Sequence, residues 1–240
     1  MPLARWLFWV CFEWAILAAA LTAAWHYPLT IPLAILVIGS RTHALAVLGH
    51  EVTHHTLGRS RSLDRLANYA CFWPINIDGA AYRHFHVAHH AFLGTARDPE
   101  LRERNKRADT WVWLTARKRA SLIGGDLIGL GIPEVFGVFR NIGGLYTAER
   151  VALLTALITF AVLYGFWPLV LLWQWSVITA TWACMRYQMF GEHNELGPGE
   201  THRYLASWWE RLIFVPHGIW KHWDHHQSGR WSVPWYRLRA

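Results

Sequence analysis

The sequence predicts an all-α integral membrane protein. Four transmembrane helices form two hairpins, with a histidine-rich helical cap on the cytoplasmic side and further helices at the interface. Three observations predict it. The 240 residues are 53% hydrophobic and only 16% charged, whereas soluble domains run nearer a quarter charged. Four apolar runs are long enough, as helices, to cross most or all of a bilayer core. The basic residues avoid the short turns that join those runs.

The first span is read over 6–25, apolar except for Glu13 and Thr22. Arg5 before it and small residues near its end imitate a signal peptide. The run is longer than a usual signal core and a second apolar run follows, so the helix is read as retained. The turn "HYPLTIP" carries Pro28 and Pro32 as punctuation. The second span, 31–49, contains Arg41 and His43 and is expected to project past the membrane towards His50. The third and fourth, 151–167 and 169–190, are joined at "GFWP" and interrupted by Gln174 and Arg186. Between the hairpins, 108–145 is too polar and glycine-rich for a confident span. It reads as one or two interfacial helices, with a re-entrant segment over 122–139 as the alternative. Segment 203–215, with its Trp208–Trp209 pair, also reads as interfacial. No internal repeat stands out beyond the hairpins, and 1–240 reads as a single domain.

Charge sets the orientation. More than half of the 23 Lys and Arg residues fall in 58–150 and six more in 187–240, while turns 26–32 and 165–168 hold none. Basic residues collect on the cytoplasmic side, which puts both termini and the middle segment there, in a bacterial inner membrane. The net charge of +7 and the pI near 9.7 are explained by that membrane face, so no nucleic-acid partner is expected. The three cysteines include no C-x-x-C pair, which leaves no disulfide framework or cysteine metal site.

Fifteen histidines are distributed unevenly. His50, His54 and His55 form H-x3-H-H. His86, His89 and His90, preceded by His84, form H-x2-H-H, and His222, His225 and His226 repeat it. His193 stands alone in "FGEHNE". Residues three and four apart share a helix face, so one such box is expected to aim three imidazoles at one place. Neutral imidazole is a good ligand for iron, zinc and copper.

His50, Glu51 and His54 also spell H-E-x-x-H, the zinc-peptidase signature in which the glutamate is general base. A peptidase needs two histidines, one further ligand and a water. It leaves His86, His89, His90, His193, His222, His225 and His226 without a role. The match is read as incidental, with Glu51 orienting a ligand histidine. A purely structural membrane protein does not explain the boxes.

The order of hairpin, box, box, hairpin and box resembles the membrane fatty acid desaturase and hydroxylase superfamily, which includes alkane hydroxylases and carotenoid ketolases. "HHAFLGTARDPEL" is similar to the H-H-x3-G-T-x2-D-P segment of that superfamily, and "VPWYRL" at 233–238 to its C-terminal ending. "EH" at Glu192–His193 resembles the lone E-H of the alkane hydroxylase branch. The resemblance implies a non-heme di-iron centre that uses O2 to desaturate or hydroxylate an unactivated C–H position of a fatty acyl or alkyl chain. The alternative it leaves open is a carotenoid ketolase or hydroxylase, although "HEVTHH" stands where a ketolase would carry H-D-x-M-H.

Carried over box by box, the resemblance implies nine ligands: His50 and His54; His86, His89 and His90; His193; His222, His225 and His226. His55, His84 and His217 would be supporting or spare, the last two read as ordinary interfacial histidines like His26 and His202. His43 is read as a polar residue satisfied within the bundle. Asp98 and Asp224 are candidates to accept the outer N–H of ligand imidazoles, with Glu192 beside His193. Asp98 could instead start a helix, and Asp224 could simply be solvated. The chain carries no iron–sulfur cysteine cluster and no dinucleotide fingerprint. An external electron donor of ferredoxin or rubredoxin type, with its reductase, is therefore implied, and 102–119 could dock it. The substrate is expected to be lipophilic and to enter from the membrane.

Overall fold

The computed structural model describes residues 1–111, 114–143, 148–193, 201–202 and 205–227, apart from the side chains of Thr110, His193 and Gln227. The described residues are helical, with no strand among them. The helices are α1 (Leu3–His26), α2 (Ile31–Thr53), α3 (Arg61–Ala67), α4 (Gly79–Phe92), α5 (Pro99–Asn105), α6 (Ala108–Trp111), α7 (Ala116–Leu127), α8 (Ile132–Ile142), α9 (Ala148–Leu163), α10 (Trp167–Ser176), α11 (Trp182–His193), α12 (Trp208–Ile213) and α13 (His222–Gln227).

Three helical segments are long and apolar enough to cross a membrane: Leu3–His26, Pro28–Thr53 and Trp167–Glu192. The last joins α10 to α11 through the wide turn Val177–Thr181. They match the expected spans 6–25, 31–49 and 169–190. The fourth differs. α9, where 151–167 was expected, has 16 described residues, about 24 Å of helix against a core of about 30 Å. Its Leu157, Phe160 and Val162 are exposed. The other candidate is the pair α7–α8, bent by 79°, within the segment expected to be interfacial or re-entrant. The alternative of a re-entrant segment over 122–139 falls on that pair, whose polar start, "ARKR", reads against a span. α12 exposes Trp208, Trp209 and Leu212, as an interfacial helix should.

α2 is the central element. From Ile38 to His54 almost every residue is buried, the signature of a helix packed on all sides. α1 lies against it, and the Trp6 indole donates to the Leu48 carbonyl at 2.9 Å. The helix crossing on its other side needs Gly39. A Cβ there would fall on the Ala180 side chain and lie 2.6 Å from the Ala180 carbonyl carbon. Beside that crossing the Thr42 and Thr181 hydroxyls are 2.7 Å apart.

Four polar interruptions of the spans, Glu13, Arg41, Gln174 and Arg186, each meet a partner, as apolar surroundings demand. Glu13 and Arg41 form a buried pair at 3.3 Å. The Arg41 guanidinium also donates to Ser40 Oγ and to the Leu212 carbonyl. His217 Nε2 lies 2.8 Å from Glu13 Oε1. The Asn76 amide donates to Gln174 at 2.9 Å. Arg186 donates to Asp126 at 2.6 Å and to Glu134 at 2.9 Å, which ties α11 to both arms of the α7–α8 bend.

Gly39→Val puts a branched side chain into the backbone of the Ala180 turn. The expected cost is about 1–3 kcal/mol or more from overpacking, read as a lowered unfolding midpoint in detergent. A wild-type midpoint would contradict this crossing.

Candidate metal centre

The three boxes meet at the C-terminal end of α2. His50 and His54 stand one turn apart there. His86, His89 and His90 lie on α4, whose start is fixed by Asp78 accepting from the N–H groups of Ala80 and Ala81. His222, His225 and His226 lie on α13. The chain leading to α13 passes His217, which Glu13 holds.

The donor atoms form two groups. One nitrogen from each of His50, His54, His86, His90 and His225 lies within 4.8 Å of the others, and so do those of His89, His222 and His226. Nε2 of His86 stands 2.7 Å from that of His50, 2.8 Å from that of His54 and 3.0 Å from that of His90. His225 Nε2 is 3.1 Å from His90 Nε2. In the second group the Nε2 atoms of His222 and His226 are 2.9 Å apart. The groups abut, with the His90 and His226 rings stacked 4.0 Å apart.

Eight of the nine histidines that the resemblance implied as ligands therefore fall in these two groups. The His193 side chain lies outside the described residues. One expectation is corrected: no H-x2-H-H box aims at a single place. His86 and His90 join one group and His89 the other, while His222 and His226 join the second and His225 the first. Relative to residue i, a helix carries i+3 about 60° to one side and i+4 about 40° to the other. The box therefore straddles two sites.

The supporting residues divide. Asp98 is buried, with Oδ1 3.0 Å from His89 Nδ1. It also caps α5, accepting from the N–H groups of Glu100 and Leu101, and accepts from Gly94 N–H. Both roles considered for it coincide in one carboxylate. Glu192 Oε1 lies 3.5 Å from His222 Nδ1. The Glu51 carboxylate accepts from the Thr56 hydroxyl at 3.0 Å, a contact within the turn after α2. His55 takes a left-handed conformation, φ 55°, and stands outside both groups. Asp224 is partly buried on α13, and His84 is exposed.

Burial, reinforced by neighbouring imidazoles, holds His86, His90 and His225 below the usual histidine range and lowers His226 to about 3. These rings are neutral at physiological pH, the form that ligates metal. Burial would lower His89 as well, but Glu100 and Asp98 outweigh it and raise the net value. The Asp98 carboxylate faces Nδ1 and leaves Nε2 as the atom that could ligate a metal.

These donors suit a metal. A neutral imidazole has one N–H and one lone pair, so one proton on His86 cannot serve three nitrogen neighbours. A cation between the lone pairs can, and all-imidazole sets suit iron, zinc and copper. A cavity of about 320 Å3 reaches both groups, touching His50 and His86 from the first and His89 and His222 from the second. Phe72, Ile77, Val138, Ile142 and Met185 give it apolar walls. Tyr82, which no spacing rule marks, stacks on His86 at 5.5 Å and lines the same space.

Residues 27–240 match the model of the fatty acid desaturase family. The chain belongs to the fatty acid desaturase family. All three boxes fall inside the matched region, and desaturase family membership makes the protein an oxidoreductase of lipid chemistry whose relatives use iron. No curated protein and no solved structure matches the chain.

Asp98→Asn keeps a helix cap but replaces the carboxylate that holds His89. Metal affinity measured by chelator competition should weaken by about 10–100-fold, with helical content unchanged. Wild-type affinity in this variant would contradict the role given to Asp98.

Proposed function

We propose that this desaturase-family protein is an O2-dependent, non-heme di-iron membrane oxidoreductase. It would desaturate or hydroxylate an unactivated C–H position of a fatty acyl or alkyl chain. The observation that carries the reading is two adjoining imidazole groups opening on one apolar cavity. His50, His54, His86, His90 and His225 would hold one iron, and His89, His222 and His226, with His193, the other.

When bound, the irons supply O2 activation and an oxidant strong enough to take hydrogen from an unactivated carbon. The protein does the rest. Asp98 orients His89 through its outer nitrogen, and the Glu192 carboxylate lies 3.5 Å from that of His222. The apolar walls exclude water and hold one stretch of the chain against both groups. Small differences in how that stretch is seated decide between a hydroxyl and a double bond. A group of five imidazoles that includes His86, with Glu51 turned to Thr56, favours this over a two-histidine peptidase site.

In the same reading two hairpins span a bacterial inner membrane, with both termini and the histidine groups in the cytoplasm. Electrons come from a soluble ferredoxin or rubredoxin with its reductase.

The test is product analysis of iron-loaded protein in lipid discs, given a reductant, O2 and fatty acyl, alkyl or carotenoid substrates. An acyl or alkyl product that has lost two hydrogens or gained one oxygen, only when O2 is present, is the expected result. Peptide cleavage by a zinc-loaded form, with no lipid product from the iron form, would contradict the proposal.

A further inference from the structure

We infer that residues 205–221 form a re-entrant hairpin that dips to the middle of the bilayer and turns its outer face to lipid acyl chains, so that the third histidine box is held from within the membrane. This rests on the spans and not on the chemistry proposed above.

Residues on either side of this segment stand beside Glu192, at the metal centre. His202 N–H donates to the Glu192 carbonyl at 2.8 Å, and His222 Nδ1 lies 3.5 Å from the Glu192 carboxylate. The middle of the segment is far from there. Ser40 Oγ donates to the Ile213 carbonyl at 2.7 Å, and the Arg41 guanidinium donates to the Leu212 carbonyl. Ser40 lies ten residues before His50 on α2, about 15 Å along the axis. Cys184, whose Sγ is 3.8 Å from the Ile213 carbonyl, lies eight residues before Glu192 on α11, about 12 Å along that axis. Between tip and ends, Ala206 from one arm and Val215 and Ile219 from the other pack with Val47. The chain therefore runs out from Glu192, turns at the level of Ser40 and returns to His222.

That level is the middle of the membrane. Ser40 and Arg41 come nine and ten residues after the start of α2, about 14–15 Å into a core about 30 Å thick. Glu13, paired with Arg41 at 3.3 Å, is likewise near the centre of α1. α1 exposes apolar side chains along its length, from Leu3 and Phe8 through Phe12 to Trp25, which marks the full span as a lipid face. The exposed tryptophans at the start of α12 suit the interface, but its end sits at the depth of Arg41. The bilayer core offers no water to the last carbonyls of that helix, and Ser40 and Arg41 supply the donors they lack. Leu205, Trp208 and Leu212 are 87%, 78% and 57% exposed, at depths where α1 also presents apolar side chains. The two charges of α12 are held by the protein. Glu210 accepts from the hydroxyls of Ser207 and Tyr187. Arg211 reaches back along the hairpin, with its guanidinium 4.6 Å from the Trp220 ring and Nε donating to the Ala206 carbonyl, as a snorkelling arginine does.

The test places a nitroxide label at Leu212→Cys in the full chain in phospholipid vesicles, with labels at Phe12→Cys and Leu3→Cys as depth references. Cys11→Ala removes the exposed thiol, and Cys71 and Cys184 are buried. O2 concentrates in hydrocarbon and a nickel chelate stays in water, so relaxation of the label by each reads its depth. The Leu212 label should match that of Phe12 and lie out of reach of nickel. A Leu212 label as open to nickel as that of Leu3 overturns the inference. So does a shallow Phe12, which would place Ser40 and Arg41 outside the core. These readings need no metal, so they stand or fall apart from the oxidoreductase reading. The hold on the third box is read by chelator competition for bound iron in the same vesicles. Leu212→Glu puts a charge among acyl chains and should weaken iron affinity about tenfold or more, while Leu212→Phe should keep it. Wild-type affinity in Leu212→Glu overturns the claim that the box is held from the membrane, and if that variant does not fold, the labels decide.

Discussion

A neutral imidazole brings one proton and one lone pair to a cluster, so several of them can share a point only around a positive charge. Here His86 Nε2 has three other imidazole nitrogens at 2.7–3.0 Å, deep in the protein where solvent cannot relieve the clash of lone pairs. The rest of the architecture holds that arrangement in place. α2, buried on every side from Ile38 onward, delivers His50 and His54. α4 is fixed at its start by Asp78. Asp98 links α4 to α5 by joining His89 to the α5 cap.

The apolar part of the protein reaches up to the same site. Glu13 and Arg41 would each be costly in a membrane, and their mutual contact reduces that cost. Both also reach outside the pair, Arg41 to the Leu212 carbonyl and Glu13 to His217. These contacts fix the end of α12 and the turn that leads into α13, and so the placement of the last three histidines. The Arg186 network does the corresponding task on the other side, joining α11 to the α7–α8 bend whose residues wall the cavity.

Much of this was legible in the residues. Spacing picked out the histidines that gather, and the apolar runs marked three of the long helices. What spacing obscured was the division of labour within a box. Positions i+3 and i+4 count as one face in a pattern, yet they diverge by about 100° around the axis, enough to serve different sites. The bent α7–α8 pair entered only as a re-entrant alternative, for a different reason. The α7–α8 pair opens on "ARKR" and carries Asp126 and Glu134, and these acids become tolerable only when Arg186, 60 and 52 residues later, is folded against them. His43 read as a polar residue satisfied within the bundle. In the structure both of its ring nitrogens are buried without a hydrogen bond among the described residues, which a sequence pattern cannot show. For Asp98 the sequence offered two alternatives, a helix start or a contact with an imidazole, and the structure shows one carboxylate that caps α5 and lies 3.0 Å from His89 Nδ1.

The central claim is that two adjoining imidazole groups each hold one iron. Metal content and Mössbauer spectra of iron-reconstituted protein test it most directly, with wild type compared to His54→Ala and His226→Ala. About two irons per chain in an antiferromagnetically coupled pair, with the coupling lost in both variants, is the predicted result. One metal per chain that survives His226→Ala would contradict the account.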